Sequence, residues 1–258
     1  MRSIAIINQK GGVGKTTTAV NLAAALAEQG SRVCLVDMDP QAHASLHFGL
    51  ALRDGDASIY DVLTGEPRLS EIRREVAENV WVCPAHLDLA AAEIELAGEV
   101  GRELILRDKL ALDNREYDFL LVDCPPSLGV LTLNALTAVE EVILPLQPHF
   151  LALHGLSKLL RTIDVVSQRL NHRLRLSGVV LCMYDSGTRL AAEVSTDVEQ
   201  FFAEQTPGSG TAWSGAKTYQ TRIRRNIRLA EAPSHGQSIL QYAPNSHGSD
   251  DYRNLARE

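Results

Sequence analysis

Lys10-Gly11-Gly12-Val13-Gly14-Lys15-Thr16-Thr17 decides the fold. It follows the strand-like run Ile4–Asn8 and opens the alanine-rich segment Thr16–Gln29, which Gly30 stops. Strand, glycine-rich turn and helix, in that order, are the setting of a phosphate-binding loop. Glycines let successive backbone N–H groups converge on phosphate oxygens, and the helix N-terminus adds its positive dipole. The expected nucleotide contacts run from Lys10 through Gly11, Gly12, Val13, Gly14, Lys15 and Thr16 to Thr17. Lys15 reaches the β/γ-phosphates, and the Thr16 hydroxyl ligates Mg²⁺.

Two further apolar runs end in acids. Val33–Asp37 continues as Met38-Asp39-Pro40-Gln41, so Asp37 and Asp39 lie on the same side of a strand end. Phe119–Asp123 has a Walker B layout, with Asp123 able to hold Mg²⁺ through water. In open α/β sheets ligands bind at the carboxyl ends of the strands. Thr16, Asp37 and Asp123 are the expected metal set. No Glu follows Asp123, which leaves Asp39 to orient the attacking water.

Farther out, strand-length apolar runs alternate with helix-period segments. The expected strands also include Val80–Pro84, Val142–Leu146, Gly178–Met183 and a short Ser238–Tyr242. The expected helices are Thr16–Gln29, Leu89–Leu112, Leu131–Ala138, Leu156–Leu170, Leu190–Glu204 and one from about Asp250. This pattern predicts an α/β fold: a mostly parallel central sheet with helices on both faces. No repeat or linker divides residues 1–258, and one domain is expected, with Thr206–Lys217 as an exposed loop.

The 258 residues are 45% hydrophobic and 22% charged, which excludes a disordered, collagen-like or coiled-coil chain. No apolar stretch reaches membrane-spanning length, and the first residues lack a signal-peptide layout. Cys34, Cys83, Cys124 and Cys182 lie far apart without a C-x-x-C pair, as expected of free thiols in a reducing cytosol. Net charge is −7, unevenly spread. Residues 1–150 hold 12 Lys/Arg against 22 Asp/Glu, and residues 151–258 hold 13 against 10. Lys217–Arg228 carries five basic residues and no acid, a district able to face phosphate.

Lys10 stands ahead of the minimal P-loop, and this deviant form resembles the MinD/ParA group of ATPases. Asp37–Gln41, Asp123–Leu128, Leu133–Leu136 and Arg225–Gly236 resemble the chromosomal ParA/Soj partition ATPases, so that the likeness covers nearly the whole chain. The resemblance implies ATP and Mg²⁺ as cofactors and an ATP-dependent homodimer. In it, Lys10 crosses to the partner's nucleotide, and Lys10, Lys15 and Asp39 serve hydrolysis. It implies that Asn226 and the backbone at Arg224 approach adenine. Arg228, with Arg189, Arg222 and Arg225, would face DNA. The implied partners are non-specific double-stranded DNA and a ParB-like activating protein, in the cytoplasm on the nucleoid, with no membrane. The chain departs from the family at Gly187, where an Arg is common, and at Arg224, where a Pro is frequent. Gln147–Phe150 also replaces a more acidic, Tyr-containing stretch. No N-terminal helix-turn-helix extension is expected.

Three other readings share the P-loop. A ParA-like ATPase could position another cargo on the nucleoid. An electron-transfer ATPase of the nitrogenase iron-protein type would hold a 4Fe–4S cluster on two cysteines per subunit. A MinD-type regulator would need a membrane-binding C-terminal helix, and Asp251–Glu258 has few large apolar residues for one.

Overall fold

The computed structural model describes residues 1–113, 116–149, 152–204 and 210–258. Part of the expected Thr206–Lys217 loop therefore lies outside the described residues. The chain runs β1 (Arg2–Ile6), α1 (Lys15–Glu28), β2 (Val33–Asp37), α2 (His43–His47), α3 (Ile59–Thr64), α4 (Leu69–Ile72), β3 (Arg74–Ala77) and β4 (Val80–Cys83). Next come α5 (Leu89–Glu95), α6 (Ile105–Ala111), β5 (Phe119–Asp123), α7 (Val130–Ala138), β6 (Glu141–Leu146) and α8 (Ala152–Arg169). The last part holds β7 (Arg175–Tyr184), α9 (Arg189–Ala203), β8 (Lys217–Thr218), β9 (Ile223–Arg224), α10 (Ile227–Glu231), α11 (Ile239–Tyr242) and α12 (His247–Arg257).

The sheet order is β3-β4-β2-β5-β1-β6-β7-β8, with β9 pairing with β7 off this path. Among the described residues all pairings are parallel except that of edge strand β3 with β4. Parallel strands need crossovers, and these bring helices onto both faces. Side chains alternate accordingly. Ile4 and Ile6 of β1 pack with α1, α11 and α12, while Ala5 and Ile7 join the layer of α3 to α9. Because both faces are covered, the central strands read as unbroken apolar runs. Leu120, Leu121 and Val122 are fully buried, each such side chain contributing about 1.5–3 kcal/mol.

Two expected elements are corrected. Leu89–Leu112 is not one helix: α5 passes into a 3₁₀ turn at Leu96–Gly98, and α6 starts at Ile105. The run ends at Glu99, which is extended (φ −79, ψ 133), and Gly101 beyond it is left-handed (φ +75). Ser238–Tyr242 is not a strand. Ser238 and Gln241 form a capping box around α11, a local pattern that outweighs a short apolar run.

The arrangement brings the carboxyl ends of β1, β2, β5 and β7 to one edge. Ile6 pairs with Asp123, and Asp37 pairs with Asp123. Gly178 lets β7 and β8 meet closely, since a Cβ there would lie 2.4 Å from the Lys217 carbonyl oxygen.

Candidate functional site

The loop between β1 and α1 is shaped by Gly12 (φ +71) and Gly14 (φ +92). Gly14 occupies the N-cap of α1 without a side-chain cap, so the first N–H groups of the helix are left for a ligand. Asn8 anchors the loop: its amide donates to the Pro145 carbonyl at 2.7 Å, and its side-chain oxygen accepts from the Lys10 N–H at 3.0 Å. Lys15 is buried, and its ammonium donates to the Lys10 carbonyl at 3.3 Å. Burial lowers its pKa, against the opposing pull of Asp123 and Asp39.

Asp37 and Asp123 are neighbours across the β2–β5 ladder, about 4.8 Å apart by strand spacing. Both are fully buried but differently served. Asp37 Oδ2 accepts from the Ser45 N–H at 2.8 Å and the Ser45 hydroxyl at 2.7 Å, and its Oδ1 accepts from the Asp39 N–H at 3.2 Å. Burial still pushes its carboxyl up to about 6. Neither Asp123 oxygen has a hydrogen-bond partner among the described residues. Burial, then the Asp37 charge, raises the Asp123 pKa well above the carboxylate range. The Thr16 hydroxyl and Lys15 lie close enough to oppose that shift, though Thr16 makes no hydrogen bond of ordinary geometry with it. Two crowded carboxylates, one with orphaned oxygens beside a hydroxyl, are a donor set that fits a hard divalent cation.

Asp39 is buried beside them and accepts the Gln41 N–H at 3.0 Å, closing a tight turn before α2. Lys10 is exposed, with its Nζ 2.5 Å from His149 Nε2. Burial and then the Lys10 charge lower the His149 pKa, so a neutral imidazole accepts from the ammonium. No local motif ties His149 to Lys10, because 139 residues separate the two.

Beyond Gly14 a cavity of about 550 Å³ opens, lined by Thr17, Cys182, Met183, Arg224, Asn226 and Tyr252 among others. Met183 is left-handed (φ 51), where the β7–β9 register shifts between Cys182 and Tyr184. Asn226 and Arg224 thus line the same cavity as Gly12, Gly14 and Thr17 of the loop. Asn226 accepts the Arg228 N–H at 2.9 Å and caps α10. No local motif in the sequence marks Tyr252 or Met183. An opening of about 500 Å³ at the opposite end of the sheet pairs its Arg32 and Arg73 with Asp118 and Asp113.

The four arginines expected to face DNA are not equivalent. Arg222 turns inward: it donates to the Tyr184 hydroxyl at 2.9 Å and to Ser195 and Glu199, and its guanidinium lies over the Tyr184 ring. Arg189 pairs with Glu193 and Arg228 with Glu231, both at 2.9 Å. Arg225 is exposed. Such exposed pairs compete with water on both sides and hold weakly, so they open readily to a phosphate. All four cysteines are buried. Tyr252 and Leu255 of α12 are packed inside, and no described helix is long and apolar enough to cross a membrane.

The profile of a family described as an AAA domain matches residues 1–176. The chain is 45% identical over 256 residues to the sporulation initiation inhibitor protein Soj of Bacillus subtilis, covering 99% of this chain and 96% of that one. It is 46% identical over 258 residues to the chromosome-partitioning ATPase Soj of Thermus thermophilus, covering 100% and 95%. Among solved structures it is similar to a protein named cobyrinic acid a,c-diamide synthase from Mycobacterium smegmatis, with bound ATP analogue and magnesium. There the TM-score is 0.82 at 37% identity, covering 100% of this chain and 93% of that one.

Proposed function

Since the chain belongs to the ParA/Soj family of P-loop partitioning ATPases, we propose that it hydrolyses ATP to drive DNA partitioning as a nucleotide-dependent dimer on DNA. The observation that carries the ATPase reading is the orphaned Asp123 carboxylate beside Thr16 at the mouth of a glycine loop. Thr16 and Asp123 would hold Mg²⁺, with Asp37 behind them. The ion, when bound, neutralises charge on the phosphoryl oxygens. Lys15 binds the β/γ-phosphates from within the loop, and Asp39 orients the attacking water. Lys10 acts in trans. Its exposed position, held by a neutral imidazole, suits a cation that must leave its own subunit to reach another nucleotide. A cation supplied only on dimerisation ties hydrolysis to assembly, in the manner of an arginine finger.

DNA binding follows from charge. The chain carries −7 overall, so a single subunit presents only the local basic district of residues 217–228. Two districts joined in a dimer roughly double the phosphates neutralised, and the logarithm of affinity scales with that number. Arg225 and Arg228 head this surface, Arg189 contributes at its edge, and Arg222 supports it from inside. A ParB-like protein would stimulate hydrolysis and release the DNA, and the protein would reside on the nucleoid. The packed face of α12 and the buried cysteines favour this reading over a membrane-cycling or iron–sulfur ATPase.

Light scattering and gel shifts on two unrelated duplexes test it. Wild type should assemble and bind both duplexes with ATP but not ADP, and weaken sharply with salt. Lys10→Ala should bind nucleotide yet neither assemble nor hydrolyse. Equal DNA binding with ADP, or normal turnover by Lys10→Ala, would sink the proposal.

A further inference from the structure

The C-terminal helix lines the cavity at Tyr252 and backs its wall at two further points. Gly248, Asp251 and Tyr252 of α12 share one face by their i, i+3, i+4 spacing. At Gly248 the helix runs so near Asn226 that an added Cβ would sit 3.1 Å from its Nδ2. The Asp251 carboxylate is buried, with 6% of its side chain exposed. It accepts the backbone N–H of Arg224 at 2.9 Å, the guanidinium Nε at 3.0 and 3.1 Å, and Nη2 at 2.6 Å. The Tyr252 hydroxyl lies 3.3 Å from that of Thr18, on the helix that the phosphate loop opens. Thus α12 is fastened to β9 on one side of the cavity and to α1 on the other.

We propose that the Arg224–Asp251 pair is a positioning clamp that fixes β9 and Asn226 at the base end of the nucleotide pocket. It sets affinity and base selectivity and takes no part in phosphoryl transfer. This rests on the reading of the cavity as the nucleotide site. Three features carry the clamp. The pair is bidentate, a geometry that fixes direction as well as distance. It includes the backbone N–H of Arg224, so the strand itself is held, not only a side chain. Its acid comes from an element that also touches Asn226 and the P-loop helix, so loosening it frees the cavity wall while leaving Lys15, Asp39 and Asp123 in place. Of the two partners, Asp251 is the gentler to alter. Arg224 is 44% exposed in its side chain, and water can solvate it when unpaired. Losing Arg224 instead strands a buried carboxylate.

The test measures displacement of a fluorescent ATP analogue by ATP and by GTP, steady-state kcat and KM, and melting temperature without nucleotide. Asp251→Asn should raise the Kd for ATP about tenfold, the scale of a lost charge-assisted contact. It should also narrow the preference for ATP over GTP and leave kcat at saturation within about twofold. Arg224→Lys, which keeps the charge but loses the fork, should shift Kd in the same direction by a smaller factor. Unchanged Kd and base preference overturn the clamp, even if the melting temperature falls. Should Asp251→Asn fail to fold, Arg224→Lys decides: wild-type affinity there overturns the clamp as well. A wild-type protein that binds no ATP would instead overturn the reading of the site.

Discussion

His47 is a buried side chain whose Nε2 has no hydrogen-bond partner among the described residues. Burial lowers its pKa from 6.5 to about 4, with the Gln237 backbone opposing. Above pH 6.5 the imidazole is neutral both folded and unfolded, and its packing carries no pH term. Between pH 6.5 and 4 the unfolded chain takes up a proton that the native state refuses, so stability falls as pH falls. Asp37 acts oppositely in nearly the same window. Its native pKa of about 6 exceeds the unfolded 3.8, so its contribution to stability is full below the unfolded value and is lost as pH rises through about 6. The pH profile of the wild type alone therefore cancels in part, and a difference measurement is needed. Relative to His47→Gln, the wild type should lose about 2 kcal/mol between pH 7.5 and pH 5. Urea unfolding of both proteins at the two pH values reads this directly. Parallel losses would show that His47 is solvated in the native state.

At the scale of elements, the β7–β8 contact depends on one missing methyl group. A Cβ on Gly178 would lie 2.4 Å from the Lys217 carbonyl and 2.9 Å from the Tyr219 ring. Backbone cannot yield as a flexible side chain can. Gly178→Ala should therefore cost about 1–3 kcal/mol, the range of overpacked sites, and should expose the β8 amides to hydrogen exchange. Unchanged protection of the Tyr219 amide, which donates to the Val179 carbonyl at 2.9 Å, would mean that the short edge strand does not hold β7. Because β9 also pairs with β7, through Ile223 and Arg224, the variant should raise the KM for ATP slightly more than it lowers kcat. The turn from β2 into α2 is built on the same economy of space. Ser45 holds Asp37 from two sides and also accepts the Ala85 N–H at 3.0 Å, joining the carboxyl ends of β2 and β4.

For the molecule as a whole, the nucleotide site concentrates buried negative charge in a chain that is already acidic. Asp37 and Asp123 adjoin, Asp39 is beside them, and Lys15 is the nearby cation. A bound Mg²⁺–nucleotide would relieve this crowding, and anything that binds only the native state stabilises it. At a hundredfold excess over Kd, Mg²⁺–ATP should add about 2.7 kcal/mol, raising the melting temperature by roughly 5–10 °C for a chain of this size. ATP with EDTA should give a smaller rise, and Asp123→Asn should lose most of the difference between the two. Equal shifts with and without Mg²⁺ in thermal unfolding would remove Asp123 from the metal site.

The phosphate loop, the two acid-ended strands and the parallel, doubly covered sheet were legible in the sequence, because each is a local pattern. Glycine spacing shapes a loop within a few residues, and an unbroken apolar run such as Leu120–Val122 declares burial on both faces. The break between α5 and α6 and the helix at Ile239–Tyr242 were not, since short apolar runs fit either period and a cap or a left-handed glycine tips the balance. The chain also displayed its basic district plainly, but composition cannot tell an arginine that faces solvent from one that turns inward. Only the packing sends Arg222 to Tyr184 and Ser195 and sets His149 against Lys10. The join of Arg224 to Asp251 spans 27 residues and that of Thr18 to Tyr252 spans 234. Such contacts depend on how helices dock across the sheet, and no local propensity encodes a distance that only the closed fold creates.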